Sequence, residues 1–322
     1  MPIQFIIPED LVLRRLYSSL AIASAVLVLA SALPLPAQTL FGGYPSARMG
    51  GNYMHNFYFP PAPSSTPWYP SWSPDGEAVA VAMQGSIWSI EVASGLATEL
   101  VSGPKYYSSP NYSPDGRWLV YTADDHGRSI QLEVLNIETG ETTALTNNTQ
   151  IYTDPSFSPD GTRIAYVSTE PSGYFNVYIQ AFSTGRFSSE AIAVTRDNNY
   201  GRNRLYFGAD DIHISPAWFP DGENLLLVSN RDVPLGSGNV FRVPAREDGF
   251  EERETVLAEQ TLYRTQPDVS IDGKRFIVSS TRGAADQFNN LYVQPTVGGE
   301  PYKMTFFTHD AFHPRWSPDG EW

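Results

Sequence analysis

One four-residue turn recurs six times and constrains this chain more than any other feature. The copies are Ser73-Pro74-Asp75-Gly76, Ser113-Pro114-Asp115-Gly116, Ser158-Pro159-Asp160-Gly161, Phe219-Pro220-Asp221-Gly222, Ser270-Ile271-Asp272-Gly273 and Ser317-Pro318-Asp319-Gly320. Successive aspartates stand 40, 45, 61, 51 and 47 residues apart, close to the about 40–50 residues that a four-stranded propeller blade needs. Ser, Pro, Asp and Gly suit the four positions of a type I turn, with glycine taking positive φ at the last.

A proline stands four positions before the second residue of every turn: Pro70, Pro110, Pro155, Pro216, Pro267 and Pro314. Two residues after each proline comes a large side chain, Trp72, Tyr112, Phe157, Trp218, Val269 or Trp316. This reads as a short first strand opened by proline, where a missing N–H breaks no ladder bond. Alternating second strands follow the turns, as in Val79/Val81/Met83 and Leu119/Tyr121, then third strands such as Asn176-Val177-Tyr178-Ile179 and short fourth strands. The fold expected is all-β: a β-propeller of four-stranded antiparallel blades, with six blade starts and five complete. Glu321-Trp322 would begin another second strand, so the sequence reads as C-terminally truncated inside its last blade.

The organisation expected is a signal peptide over 1–37, an N-terminal segment and linker over 38–67, and the propeller over 68–322. Arg14-Arg15 precedes the apolar run from Leu16 to Leu33, and Ala37 offers a small residue for cleavage. Localisation would then be periplasmic or extracellular, with no membrane span after cleavage. Within 38–67, Asn52 to Phe59 reads as a strand that pairs with the missing part, and Pro60 to Pro67 as a connector. With no cysteine in the chain, stability rests on burial rather than on disulfides. Asp and Glu number 35 against 21 Lys and Arg, a formal charge of −14, so the basic footprint of phosphate-backbone binding is missing and nucleic acid is not an expected partner.

The run Pro-x-aromatic-Ser-Pro-Asp-Gly followed by an alternating strand resembles the WD-like repeats of the TolB propeller family, across roughly residues 68–322. Tyr263 to Asp268, Gly298 to Pro301 and Phe312 to Trp316 look most like propellers fused to amidohydrolase-type, metal-dependent hydrolases. That resemblance implies no cofactor in this chain and a divalent metal held by a domain beyond Trp322.

Catalytic motifs are missing from the residues themselves. No Gly-x-Ser-x-Gly elbow and no phosphate-cradling glycine loop occurs, and a cysteine nucleophile is excluded. His309 and His313 have an i, i+4 spacing that suits zinc on one helix face, but they fall in an irregular connection. With Asp310 they form only a weak metal candidate, since no further ligand is identifiable. Propeller geometry places the connections between blades, and those between second and third strands, on the face opposite the Ser-Pro-Asp-Gly turns. That loop face is the candidate ligand or partner surface: Asp124, Asp125, His126, Tyr152, Asp154, Asp210, Asp211, His213, Arg231, Asp232, Arg264, Arg282, His309, Asp310 and His313. The chain is therefore expected to be a non-catalytic scaffold or binding module, the N-terminal part of a larger secreted hydrolase, contacting its own C-terminal domain or a protein partner. The alternative is a TolB-like periplasmic protein–protein interaction module.

Overall fold

The computed structural model describes residues 66–199, 201, 210–233, 238–258, 266–281 and 288–322. The expected signal peptide, the strand expected at Asn52 to Phe59, and Arg264 and Arg282 lie outside the described residues.

Five antiparallel sheets follow one another along the chain, and within each the strand order follows the sequence. Blade 1 is β1–β4 (Trp68–Trp72, Ala78–Met83, Ser86–Glu91, Ala97–Val101), and blade 2 is β5–β8 (Tyr106–Tyr112, Trp118–Asp124, Ile130–Asn136, Thr142–Ala144). Blade 3 has β9–β11 (Tyr152–Phe157, Arg163–Ser168, Asn176–Ser183), with its outer place shared by the short β12 (Arg186–Phe187) and β13 (Ile192–Ala193). Blade 4 is β14–β17 (His213–Trp218, Asn224–Ser229, Asn239–Pro244, Glu254–Leu257), and blade 5 is β18–β21 (Asp268–Val269, Arg275–Ser280, Asn290–Pro295, Tyr302–Lys303). This is the ring of four-stranded blades that the repeat predicts.

Each turn closes as its chemistry dictates. Gly161 N–H donates to the Ser158 carbonyl at 2.8 Å with Gly161 at φ 71°, and the fully buried Ser158 hydroxyl donates to Asp160 while accepting from Arg163 N–H. Ser73, Ser113, Ser270 and Ser317 repeat this bridge. In the fourth turn Phe219 replaces serine, and Asp221 accepts from Glu223 N–H and Asn224 N–H instead. A Cβ on Gly161 would stand 3.4 Å from Pro114 of the preceding turn, so consecutive turns touch along one rim.

The inner strands hold the main departure from expectation. In blades 1 to 4 proline does not open the strand but sits inside it, at an interruption of the ladder, whereas Pro267 immediately precedes β18. The β1–β2 register jumps from Trp68↔Ala82 to Ser71↔Ala80, and equivalent shifts break β5–β6, β9–β10 and β14–β15. The residue before each proline has positive φ: Tyr69 51°, Ser109 50°, Asp154 49°, Ser215 55°, Gln266 37° and His313 56°. A bulge explains both facts, because it removes the ladder bond that proline could not make.

Between sheets the apolar faces interdigitate. Ala80, Ala82, Ile87 and Val101 of blade 1 pack on Leu119 and Tyr121 of blade 2, and Val120, Leu132 and Val134 pack on Phe157, Ile164 and Tyr166 of blade 3. Leu226, Val240 and Leu257 pack on Phe276, Val278 and Tyr292 in the same way. Past blade 5, Ala311 N–H donates to Asn289 O at 2.8 Å, and Trp316 N–H donates to Asp268 Oδ2 at 2.7 Å. On its other side this segment meets blade 1, with Phe312 stacked on Trp68 at 6.4 Å and His313 3.9 Å from the Tyr69 ring. The sixth repeat thus places its inner segment between blades 5 and 1.

Burial of the serine bridge sets its energetic importance. Replacing Ser158 with alanine leaves Arg163 N–H without its acceptor, and the expected loss is about 1–3 kcal/mol in urea unfolding; a loss under about 0.5 kcal/mol would show that the hydroxyl is dispensable.

Candidate functional site

The positive-φ residues of the first five repeats, and Arg315 of the sixth, face the ring axis. A central cavity of about 80 Å³ is lined by Tyr69, Ser109, Asp154, Ser215, Gln266 and Arg315 among others, with every one of the six repeats represented. A site needs about 10–15 Å³ of such space per water, so the cavity holds a handful of waters and no threaded peptide. Two carboxylates face it, Asp154 and Asp268. Burial pushes both carboxyls upward, and Arg315 opposes the shift in each case. Asp268 also accepts from Trp316 N–H.

In three repeats the residue after the proline laces neighbouring inner strands together. Ser71 Oγ accepts from Tyr112 N–H at 3.1 Å, Asn111 Oδ1 from Phe157 N–H at 2.7 Å, and Asp268 Oδ2 from Trp316 N–H. Sequence reasoning passed over Asp268 and Arg315; the signal was a polar residue at the x of Pro-x-aromatic in most repeats.

A second polar centre joins blades 3 and 4. Asp211, fully buried, pairs with the Arg231 guanidinium, which also meets Asp197 Oδ2 at 3.1 Å and donates to Asp197 O at 2.6 Å. His213 Nε2 lies 3.2 Å from Asp197 O and so donates to it, which leaves Nδ1 as a buried lone pair with no hydrogen-bond partner. Its ring stands edge-on to Phe250 at 4.6 Å, and Arg253 covers Phe250 at 5.0 Å while pairing with Asp232 at 3.1 Å. Phe250 belongs to a single 3-10 turn (Gly249–Glu252), and its N–H donates to Val194 O of blade 3. This crossing, absent from the sequence reading, seals His213 from water. Burial accordingly lowers the imidazole to about 3.

Of the residues expected on the loop face, the structure brings together Asp211, His213, Arg231 and, through Arg253, Asp232. Asp210 stands beside them, its carbonyl accepting from Asn230 Nδ2 at 3.3 Å. Asp124 is buried and caps the β6–β7 connection by accepting from Gly127 N–H at 2.6 Å, next to half-buried Asp125 and exposed His126. Tyr152 is core, its hydroxyl accepting from Asn148 Nδ2. Asp154 faces the axis instead of the rim. His309 is exposed and stacked on Phe307 at 4.8 Å, Asp310 accepts from Asn289, and His313 is buried against Tyr69 and Trp68. Among the described residues no group of three or more His, Asp or Glu is placed to hold a metal ion.

Two outcomes follow from the blade 3–4 centre. Arg231→Met strands the Asp211 carboxylate and is expected to cost about 3–5 kcal/mol of folding free energy; a loss below about 1 kcal/mol would mean that Asp211 finds another partner. His213 has a folded pKa below its unfolded value near 6.5, so the unfolded chain binds the extra proton between about 6.5 and 3. Stability is complete above that window and falls with acid by up to about 1.4 kcal/mol per pH unit within it. The free energy of His213→Leu, measured by denaturant titration from pH 7 to pH 4, should fall less steeply than that of the parent; parallel slopes would show that His213 is not held neutral.

Comparison with known proteins agrees with this geometry. Residues 69–204 match the TolB β-propeller domain family. The chain is 29% identical over 263 residues to a Bacillus subtilis protein named uncharacterized peptidase YuxL, covering 79% of this chain but only 28% of that protein. Among solved structures, TolB from Acinetobacter baumannii superposes with a TM-score of 0.63 at 18% identity, over 79% of this chain and 57% of that one. An oligogalacturonate lyase in complex with manganese gives 0.54 at 16% identity, over 79% and 71%. At these identities the solved structures share the fold alone. With five antiparallel sheets set around one axis, the described ring is a β-propeller, and residues 69–204 of it match the TolB β-propeller domain family.

Proposed function

We propose that this propeller is a non-catalytic binding and scaffolding module that works through its loop face, as part of a larger exported hydrolase. The observation that carries the reading is a contrast between sites. The axial cavity, at about 80 Å³, is too small for a polymer substrate, and the buried histidine donates to a carbonyl instead of activating a hydroxyl. The rim of blades 2 to 5, by contrast, presents His126, Asp232, His309 and Asp310 to solvent on a scaffold fixed by ion pairs. With a formal charge of −14, such a rim selects a partner surface that carries basic groups.

The hydrolase part rests on the peptidase name of the Bacillus relative, of which this chain spans 28%, and on the resemblance to propellers of metal-dependent hydrolases. Export rests on the Arg14-Arg15 and Leu16 to Leu33 pattern. Among the described residues no helix is long and apolar enough to cross a membrane. A stand-alone TolB-like interaction module is the second reading, favoured by the fold match to TolB itself.

The purified chain should hydrolyse aminoacyl anilides and esters no faster than buffer, with or without added zinc. Turnover that disappears in His213→Leu would overturn the non-catalytic reading. The coding sequence after the Trp322 codon separates the other two: a hydrolase domain there supports the larger enzyme, and a stop codon within one blade's length favours the interaction module.

A further inference from the structure

The turn rim carries a cleft whose guest the chain itself illustrates. In blade 3 the first residue of the second strand is Arg163, and its guanidinium crosses to blade 4, lying over Trp218 at 4.8 Å and donating to Gly222 O at 2.7 Å. Arg275 holds the same place in blade 5 and lies over Trp316 at 5.3 Å. Ala78 and Asn224 hold it in blades 1 and 4. In blade 2 the residue is Trp118, which takes another course. Its ring packs against the hairpin of β11 and β12, edge-on to Phe182 at 5.8 Å, and glycine at 185 leaves room for it, since a Cβ there would stand 2.9 Å from Trp118 Cη2.

Between the second and third turns there remains an open cleft of about 490 Å³. Its lining repeats the surroundings of Arg163. Gly161 stands at the turn position of Gly222, with φ 71° against 69°, and its carbonyl accepts no hydrogen bond from the described residues. Trp118 and Phe182 supply aromatic walls, and the turn aspartates Asp115 and Asp160 supply negative charge. Arg117 lines the cleft as well, but it is paired with Asp115 at 2.7 Å. Asp160 has no ion pair among the described residues, so it sets the sign of the site. A guanidinium suits these walls better than an ammonium, because its plane can lie on an aromatic ring while its N–H groups donate to a carbonyl and a carboxylate. The cleft is roomier than one side chain, which admits the backbone on either side of it. We propose that the cleft between blades 2 and 3 receives an arginine side chain from a partner protein, seated as Arg163 is seated between blades 3 and 4. This surface lies on the rim opposite the loop face and does not depend on the function proposed for that face.

The full chain is titrated with a blocked Gly-Arg-Gly peptide and followed by amide NMR shifts. Saturable shifts are expected at Gly161, Thr162 and Thr184, with a Kd on the order of 1 mM. Binding should weaken about fivefold or more when citrulline replaces the arginine, which keeps the shape and removes the charge, and about threefold or more when lysine does. Asp160→Asn, which keeps an acceptor for Ser158 and Thr162 N–H, should weaken it about threefold or more as well. Trp118→Arg should abolish it, because the chain's own guanidinium then takes the seat; should that variant fail to fold, Asp160→Asn decides. Equal binding of the citrulline or lysine peptide, undiminished binding to Asp160→Asn, or no saturable shift would overturn the proposal. Shifts confined to His126 and Asp232 would also overturn it, by assigning the basic partner to the loop face alone.

Discussion

The inner wall of the ring is held by a dipeptide of costly backbone, a non-glycine residue at positive φ followed by proline, present in all six repeats. Each such site costs on the order of 1–3 kcal/mol and persists only where its surroundings over-determine it. Here the surroundings are the neighbouring blades. Ser71, Asn111 and Asp268 accept the backbone N–H of the next inner strand, and Trp218 Nε1 reaches back to Ser156 O at 3.0 Å. Strain in one repeat is offset by contacts with the next, so a lone blade has no reason to adopt the bulge and a ring does.

From that constraint the two rims acquire different characters. On the turn rim the repeated serine and aspartate have a structural task, and the bridge between them is strong enough to hold Asp75, Asp272 and Asp319 below the usual carboxylate range, chiefly through the serine hydroxyl. On that rim too, Arg163 lies over Trp218 at 4.8 Å and donates to Gly222 O, stitching blade 3 to blade 4. The opposite rim has longer connections and uncommitted charge. There Asp211 and His213 are buried beside the crossing of Phe250 toward blade 3 and Arg231 is half-buried, while Asp232 and His126 remain exposed.

The architecture was legible because turn chemistry is local: Ser-Pro-Asp-Gly declares a hairpin within four residues, and its spacing declares a blade. The bulge was only half legible. Six prolines announced something special about the first strand, but positive φ at Tyr69, Asp154 or His313 has no residue signature, since none is glycine. The candidate face was read from chain position, which finds the rim and says nothing about depth. Tyr152 and His313 therefore turn out to be packed, and Asp154 axial. Asp268 and Arg315 escaped notice because their meaning lies in meeting Asp154 across the axis, far away in sequence. The joining of His213 to Phe250 likewise depends on a connection between β16 and β17 that carries no repeat pattern.

All of this rests on one claim, that six repeats surround a single axis, and the charges on that axis test it most directly. Asp154 comes from the third repeat and Arg315 from the sixth, and nothing but ring closure brings them to one cavity. A double-mutant cycle of Asp154→Asn and Arg315→Ala, followed by denaturant unfolding, should give a coupling energy of about 0.5–3 kcal/mol. Strict additivity, with coupling within about 0.3 kcal/mol of zero, would mean that the third and sixth repeats do not share an axis and would contradict the closed arrangement.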